Sequence, residues 1–286
     1  MTARVEDNLV RLIVNADDFG YFDEVSRGIL ELATQGIVTA TGVMANGPAL
    51  PRWVDALRRL PLLSVGVHLN ATLGKPLTQE MRGAVHGRGG LFPGKGTMAA
   101  AILRGGIATA VVIAEWRAQI RHVIDAGLAP CFVNSHEHLH MLPQLYARTR
   151  ELAREFGIVH VRAPRAEWGP AASVGGYVRS GAFAMARLMA GPSPGEPELI
   201  GLNPSGHLNL SYCRWRFGRL RQGSDYELMC HPGRDDAHAR GDPKLGAYHD
   251  WEGELHTLQS PEFADLLRQH RIALTGYARG QKESIS

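Results

Sequence analysis

Cysteine is scarce, and the little there is lacks metal-binding spacing. Cys131, Cys213 and Cys230 are the only three in 286 residues, with no C-x-x-C pair among them. A thiolate zinc site is thereby excluded. Cys131 and Cys230 fall in apolar strand-like runs, where a buried, inert thiol is expected. No apolar run is long enough to span a bilayer. Met1 to Asn8 has no positive region leading into an apolar one, so no signal peptide is expected. Charge of one sign is missing too. The formal net charge is +3 and no Lys/Arg block occurs, which removes the footprint of a nucleic-acid-binding protein. Arg214, Arg216, Arg219 and Arg221 interleave with Trp215 and Phe217, a spacing that fits a solvated helix face. Linkers and internal repeats are also lacking. What remains is one domain, residues 1–286, 44% hydrophobic and 21% charged. It is expected in the cytoplasm and is long enough to bury a large core.

What is present begins with Leu9 to Gly20, a nearly continuous apolar run ending in Asp17-Asp18-Phe19-Gly20. A strand apolar at successive positions is buried on both faces, as in a parallel sheet flanked by helices. Helical spacing follows over Asp23 to Gln35, stopped by Gly36. Strands are predicted over Ile37 to Ala45 and Leu63 to Asn70, with a short helix over Pro51 to Arg59 between them. Ala71 to Gly96 reads as a long, glycine-rich loop, a length usually kept for a functional wall or lid. Met98 to Gly127 reads as helix broken at Gly105-Gly106. Cys131 to Asn134 is a strand leading into Ser135-His136-Glu137-His138-Leu139-His140, and Pro143 opens the next helix. Ile158 to Val161, Leu199 to Leu202, Tyr226 to Cys230 and Arg271 to Thr275 complete the strands. Helices are predicted over Ala182 to Ala190 and Pro261 to His270, and the polar tail from Arg279 is expected to fray. This alternation predicts an α/β fold, a distorted (β/α) barrel of seven or eight parallel strands, closed or nearly so.

Asp17, Asp18, His68, His136, His138, Arg162 and His231 all fall at predicted strand carboxyl ends, where such folds carry their chemistry. An isolated Asp-Asp often just caps a helix, and a single histidine is more often structural than a ligand. Several of the thirteen histidines have plainer roles: His122, His160, His256 and His270 read as solvated, and His86 and His249 lie in loops. A strand-end set shared by two carboxylates and several imidazoles is different, and it points to a metal site. His136, His138 and His140 share one side if the segment is extended; once the chain turns into the next helix not all three can reach one ion, and the first two are better placed as ligands. One Asp and two His leave coordination positions open, the pattern of a catalytic site. The spare carboxylate is then free to take a proton from water, and His231 could protonate a leaving group. That assembly suits hydrolysis of an amide or ester.

Four stretches carry a resemblance. Asn15-Ala16-Asp17-Asp18-Phe19-Gly20, Gly66-Val67-His68-Leu69-Asn70, Ser135 to Pro143 and Cys230-His231-Pro232-Gly233 are similar, in order, to the signature blocks of the YdjC-like carbohydrate deacetylases. The resemblance implies a distorted barrel and divalent-metal-dependent removal of acetyl from an N-acetylated amino sugar. It makes Asp17 the general base and His231 the general acid. Asp18, His68 and His136 become the ligands of one divalent ion, and His138 and Arg162 are assigned to substrate binding or support. The physical reading agrees, since the metal polarises the acetamide carbonyl while two titratable groups move protons in opposite directions. The donor set admits zinc or magnesium, and also manganese or cobalt.

One departure stands out: the family usually has Asp before the Ser-His of the third block, and here the residue is Asn134. An Asn keeps a hydrogen-bonding oxygen and loses the charge. With the apolar run Ala182 to Ala190, it resembles the branch associated with hopanoid biosynthesis, which implies a glycolipid substrate and a place at the inner membrane face. A homo-oligomer is compatible with all of this. Two other classes fit the same residues less well. A barrel amidohydrolase carries His-x-His on its first strand, where this chain has Asp-Asp, and a two-metal phosphoesterase calls for more carboxylates. A non-catalytic sugar- or lipid-binding protein needs neither a spare base nor an acid.

Overall fold

A computed structural model describes residues 9–163, 165–169, 181, 184–185, 195–234 and 248–277. The helix expected over Ala182 to Ala190 lies, all but two residues, outside the described residues, as do Met1 to Asn8 and the tail from Arg279. Eight strands form one sheet, and every pairing in it is parallel. In chain order they are β1 (Val10–Phe19), β2 (Ala40–Val43), β3 (Ser64–Leu69), β4 (Phe132–Ser135), β5 (His160–Val161), β6 (Glu198–Ile200), β7 (Asp225–Cys230) and β8 (Ile272–Leu274). Their spatial order is β5-β4-β3-β2-β1-β7-β6, with β8 added beside β1. The α/β barrel-like architecture read from the pattern is the one observed.

β1 is the axis of the sheet. Nine of its ten residues are buried, as a strand covered on both faces requires. It is also long enough to serve two neighbours along one edge. Val10 to Leu12 pair with β8, and Asn15 to Phe19 pair with β2, while the other edge holds β7 from Arg11 to Ala16. β8 therefore shares an edge with β2 instead of closing the barrel at its far end, and this is the distortion. At the far end no backbone pairing joins β5 to β6 among the described residues. The carboxylate of Glu196 bridges the gap, accepting from the Val161 amide at 3.1 Å and facing His160 Nδ1 at 3.3 Å.

Helices cover the outside of the sheet. The first, α1 (Asp23–Thr34), starts with two acidic residues at the positive end of its dipole and buries Val25, Ile29 and Leu32 against β1. The stretch expected to be helix with a break at Gly105-Gly106 is two helices, α4 (Lys95–Leu103) and α5 (Thr109–Asp125). Between α1 and α4 lie α2 (Leu50–Arg58) and a short α3 (Gln79–Ala84) inside the segment read as loop. Then come α6 (Pro143–Glu155), α7 (Leu210–Phe217), α8 (Trp251–Gln259) and α9 (Pro261–Gln269). Proline in the first turn of α2, α6 and α9 costs no hydrogen bond there. Among the described residues no helix is long and apolar enough to cross a membrane.

Candidate active site

β1 delivers Asp17 and Asp18 side by side, but their side chains serve different neighbours. Asp18 has φ 69, a left-handed conformation uncommon for a side-chain-bearing residue. Its Oδ1 lies 3.1 Å from His68 Nε2 at the end of β3 and 3.0 Å from His136 Nδ1 just past β4. The three ligand atoms all lie within 4.8 Å of one another. Burial opposes the charge on Asp18, yet His136 and His68 outweigh it and hold the carboxyl well below its ordinary pKa. Burial likewise lowers His136, and Asp18 outweighs it to raise the imidazole.

Asp17 faces inward. Its Oδ1 accepts from Asn15 Nδ2 and Asn134 Nδ2, each at 2.7 Å, and from Arg162 Nη2 at 3.1 Å. Its Oδ2 accepts from Arg162 Nη1 at 2.5 Å. Burial pushes this carboxyl up, and the Arg162 guanidinium, helped by His68, brings it below the usual value. Gly42 on β2 packs beneath the cluster: a Cβ there would stand 3.2 Å from both Asp17 Oδ1 and Asn134 Oδ1.

Asn134 settles the chemistry of His68. Because an ionised carboxylate only accepts, the amide nitrogen of Asn134 must face Asp17, and its Oδ1 then faces His68 Nδ1 at 2.7 Å. That oxygen cannot donate, so His68 Nδ1 carries a hydrogen, and whenever the ring is neutral its Nε2 presents a lone pair toward Asp18. A lone pair and a carboxylate oxygen 3.1 Å apart repel unless a cation lies between them. The donor set of one carboxylate and two imidazoles therefore fits a divalent ion. Substituting Asn134→Asp keeps the acceptor for His68 and turns the donor to Asp17 into an oxygen. The variant is expected to lose about 1–3 kcal/mol of stability at neutral pH. Its new carboxyl must stay protonated when folded, so its pKa is raised; the loss shrinks as the pH falls toward the ordinary carboxylate range. Urea denaturation at pH 7 and pH 5 checks both sign and size.

The remaining expected residues are distributed as follows. His231, after β7, is 7% exposed, and its backbone amide donates to Glu254 Oε2 at 2.5 Å. Its Nδ1 is buried with no hydrogen-bond partner among the described residues. His138 lines the same pocket, where burial first and then Arg162 hold its imidazole well below the usual pKa. Arg162 is not on the pocket wall. It is 3% exposed and forks between Asp17 and Glu227, so it meets Asp17 from behind and not a ligand. His136, His138 and His140 do not share one side, because the segment turns instead of running extended. Glu137 and His138 have φ of 55 and 56, which turns the segment into a short 3-10 stretch, His136–Met141. His140 points away into the core, bonded to Ser135 Oγ at 2.6 Å and the Arg162 carbonyl at 2.8 Å.

Asp17, Asp18, His68, His136, His138 and His231 thus share one pocket of about 600 Å³ at the carboxyl ends of the strands. A family model described as YdjC-like protein matches residues 11–269. The chain belongs to the YdjC-like family. Over 155 residues it is 34% identical to a carbohydrate deacetylase of Brevibacillus brevis, covering 54% of this chain and 60% of that protein. Over 148 residues it is 38% identical to a chitooligosaccharide deacetylase of Escherichia fergusonii, covering 51% and 57%. The chain thus spans little more than half the length of these relatives. A carbohydrate deacetylase of Vibrio cholerae is matched more fully, at 29% identity over 273 residues, 94% of this chain and 96% of that one. In fold, the chain resembles a crystal structure from Enterococcus faecalis described as a cellobiose-phosphate cleavage protein, with TM-score 0.74 and 23% identity over 96% of this chain and 100% of that one.

In this YdjC-like chain several site residues escaped the sequence reading. Glu227 is buried inside β7, where burial raises its pKa against the pull of Arg162. Glu254, also buried, accepts from Leu208 and His231 amides and ties α8 to the loop after β7. A charged residue inside an apolar strand or on a helix core face was the available signal. His249 stacks on Trp251 with ring centroids 5.1 Å apart and lies 5.1 Å from the His231 ring. Burial, then His231, drives its pKa down to about 3.

Proposed function

We propose that the protein is a metal-dependent hydrolase that removes the acetyl group from an N-acetylated amino sugar, free or carried on a glycolipid. The observation that carries this reading is the division of labour between adjacent aspartates. Asp18 shares its oxygen with two imidazole nitrogens, and Asp17 stays ionised beside it without taking part in that cluster. Asp18, His68 and His136 would hold the ion, whether zinc, magnesium, manganese or cobalt. Bound there, it supplies Lewis acidity to the amide carbonyl and eases ionisation of water.

The chain's own groups account for the proton movements. Asp17 Oδ2 has one donor against three on Oδ1, so it is the oxygen with capacity to accept the proton of the attacking water. Arg162 holds that carboxylate in place. His231 Nδ1 is buried, which leaves Nε2 to deliver a proton to the departing sugar nitrogen as the C–N bond breaks. Acetate and a free amine result. His138, neutral and on the pocket wall, is assigned to substrate contact. The relatives' description as carbohydrate and chitooligosaccharide deacetylases supports the same substrate class.

The test is acetate release from N-acetylglucosamine, chito-oligosaccharides and an N-acetylglucosaminyl lipid. Protein stripped with a chelator is expected to fall to background and to recover with one of the four metals. Acetate release indifferent to the chelator would remove the metal from the reaction. No acetate from any substrate by protein with stoichiometric metal would overturn the deacetylase reading.

A further inference from the structure

We propose that Thr72 is a substrate-binding residue, its hydroxyl taking a hydroxyl of the bound sugar, and that a buried polar ladder exists to hold it there. The proposal rests on the deacetylase reading for the sugar class and on geometry for the residue. Thr72 lines the pocket, is 3% exposed, and its Oγ1 is buried with no hydrogen-bond partner among the described residues. A buried hydroxyl without a partner carries its desolvation penalty unrelieved, so native structures rarely keep one outside a functional place. The other Ser hydroxyls on the pocket wall are already engaged, Ser135 by His140 and Ser205 by Tyr248. A hydroxyl can donate and accept at once, which suits a polyol ligand. Rotation about one side-chain bond moves it between staggered positions.

The backbone around Thr72 is fixed to an unusual degree. Its amide and that of Leu73 donate to Asn70 Oδ1 at 3.0 and 3.1 Å, and its carbonyl accepts from Gly94 at 3.2 Å. Asn70 is in turn gripped by Gln119 of α5, whose Oε1 accepts from the Asn70 amide at 2.8 Å and whose Nε2 donates to the Asn70 carbonyl at 2.7 Å. The same Nε2 donates to Glu115 Oε1 at 2.9 Å. Glu115 then accepts the amides of Leu77 and Thr78 and the Thr78 hydroxyl, all within 2.9 Å. Asn70, Glu115 and Gln119 are all fully buried. Such a satisfied buried network specifies one conformation. Here that conformation presents the wall beginning two residues past His68. The ladder spends three buried polar side chains on a segment whose own hydroxyl is left unsatisfied, and a ligand resolves the mismatch.

Thr72→Val and Thr72→Ser separate the readings. Thr72→Val keeps the shape and removes the hydroxyl. Expected are a KM for N-acetylglucosamine raised about 3- to 10-fold, as for one neutral hydrogen bond, a kcat within twofold, and a melting temperature unchanged or higher. Thr72→Ser should restore KM. Unchanged KM in Thr72→Val would overturn the proposal while leaving the deacetylase reading intact. If the wild type releases no acetate, N-acetylglucosamine binding to the metal-loaded protein is titrated instead. Weaker binding in Thr72→Val then supports the residue's role although the reaction has failed. Equal binding, or none by either protein, overturns it.

Discussion

Asp17→Asn is expected to lower acetate release by about 10²- to 10⁴-fold, the range for loss of a general base, while metal stoichiometry stays that of the wild type. The second half of this expectation follows from the geometry. Asp18, His68 and His136 converge without Asp17, whose hydrogen-bond partners are Asn15, Asn134 and Arg162 and which lies 3.7 Å from the far nitrogen of His68, Nδ1. An amide at position 17 keeps one accepting oxygen and replaces the other with a donor. With its oxygen toward Asn15 and Asn134, its nitrogen confronts Arg162 Nη1, so some stability is lost as well. Activity, metal content and thermal melting measured on one preparation separate these effects. Activity within threefold of wild type, with metal bound, would place the base elsewhere. Loss of both metal and activity would mean that Asp17 belongs to the ligand set.

How much of this site could be read from sequence depends on the range of the forces involved. β1 was legible because burial on both faces writes itself into successive apolar residues, and the two carboxylates mark where that burial stops. The strand-end placement of His68, His136 and His231 followed from the same pattern. Local signals failed where the backbone does something uncommon. The His136-x-His138-x-His140 spacing suggests one face only if the segment is extended; left-handed Glu137 and His138 leave the first two rings in the pocket and turn His140 into the core. Long-range pairing was equally silent. Arg162 meets Asp17 across 145 residues and Glu227 across 65, and neither separation leaves a periodic trace. The shortest strand, β5 at two residues, was foreseen as longer, since its edge is completed by the Glu196 side chain and not by further backbone pairing. The Asn in place of the family's usual Asp was visible as a departure. Its meaning came only with the distances, which make it a donor to Asp17 and an acceptor from His68.

Arg162→Met is expected to cost about 3–5 kcal/mol of stability at pH 7, the usual effect of removing one partner from a buried ion pair. The guanidinium and both of its carboxylates are at most 2% exposed in their side chains, so water cannot take over its role. Burial already raises the Glu227 pKa and works to raise that of Asp17, and Arg162 is what opposes it in both. Without Arg162 the Asp17 value climbs above that of the unfolded chain, and the Glu227 value, already raised, climbs further. Such groups favour folding only while the unfolded carboxyls are protonated, so the deficit should be greatest near neutrality and shrink as the pH falls toward 4. Wild type is expected to show less of this recovery in acid, because its raised Glu227 is opposed by a lowered Asp17. Arg162→Lys keeps the charge but cannot fork between two acceptors, so it should regain part of the stability and less of the activity. Adding Glu227→Gln to Arg162→Met removes one of the stranded charges. The double variant should therefore be more stable than the two single losses add up to, by a coupling of about 0.5–3 kcal/mol. Strict additivity would mean that Glu227 is already protonated in the wild type. In that case the guanidinium serves Asp17 alone, and Glu227 acts only as a neutral hydrogen-bonding group beside it.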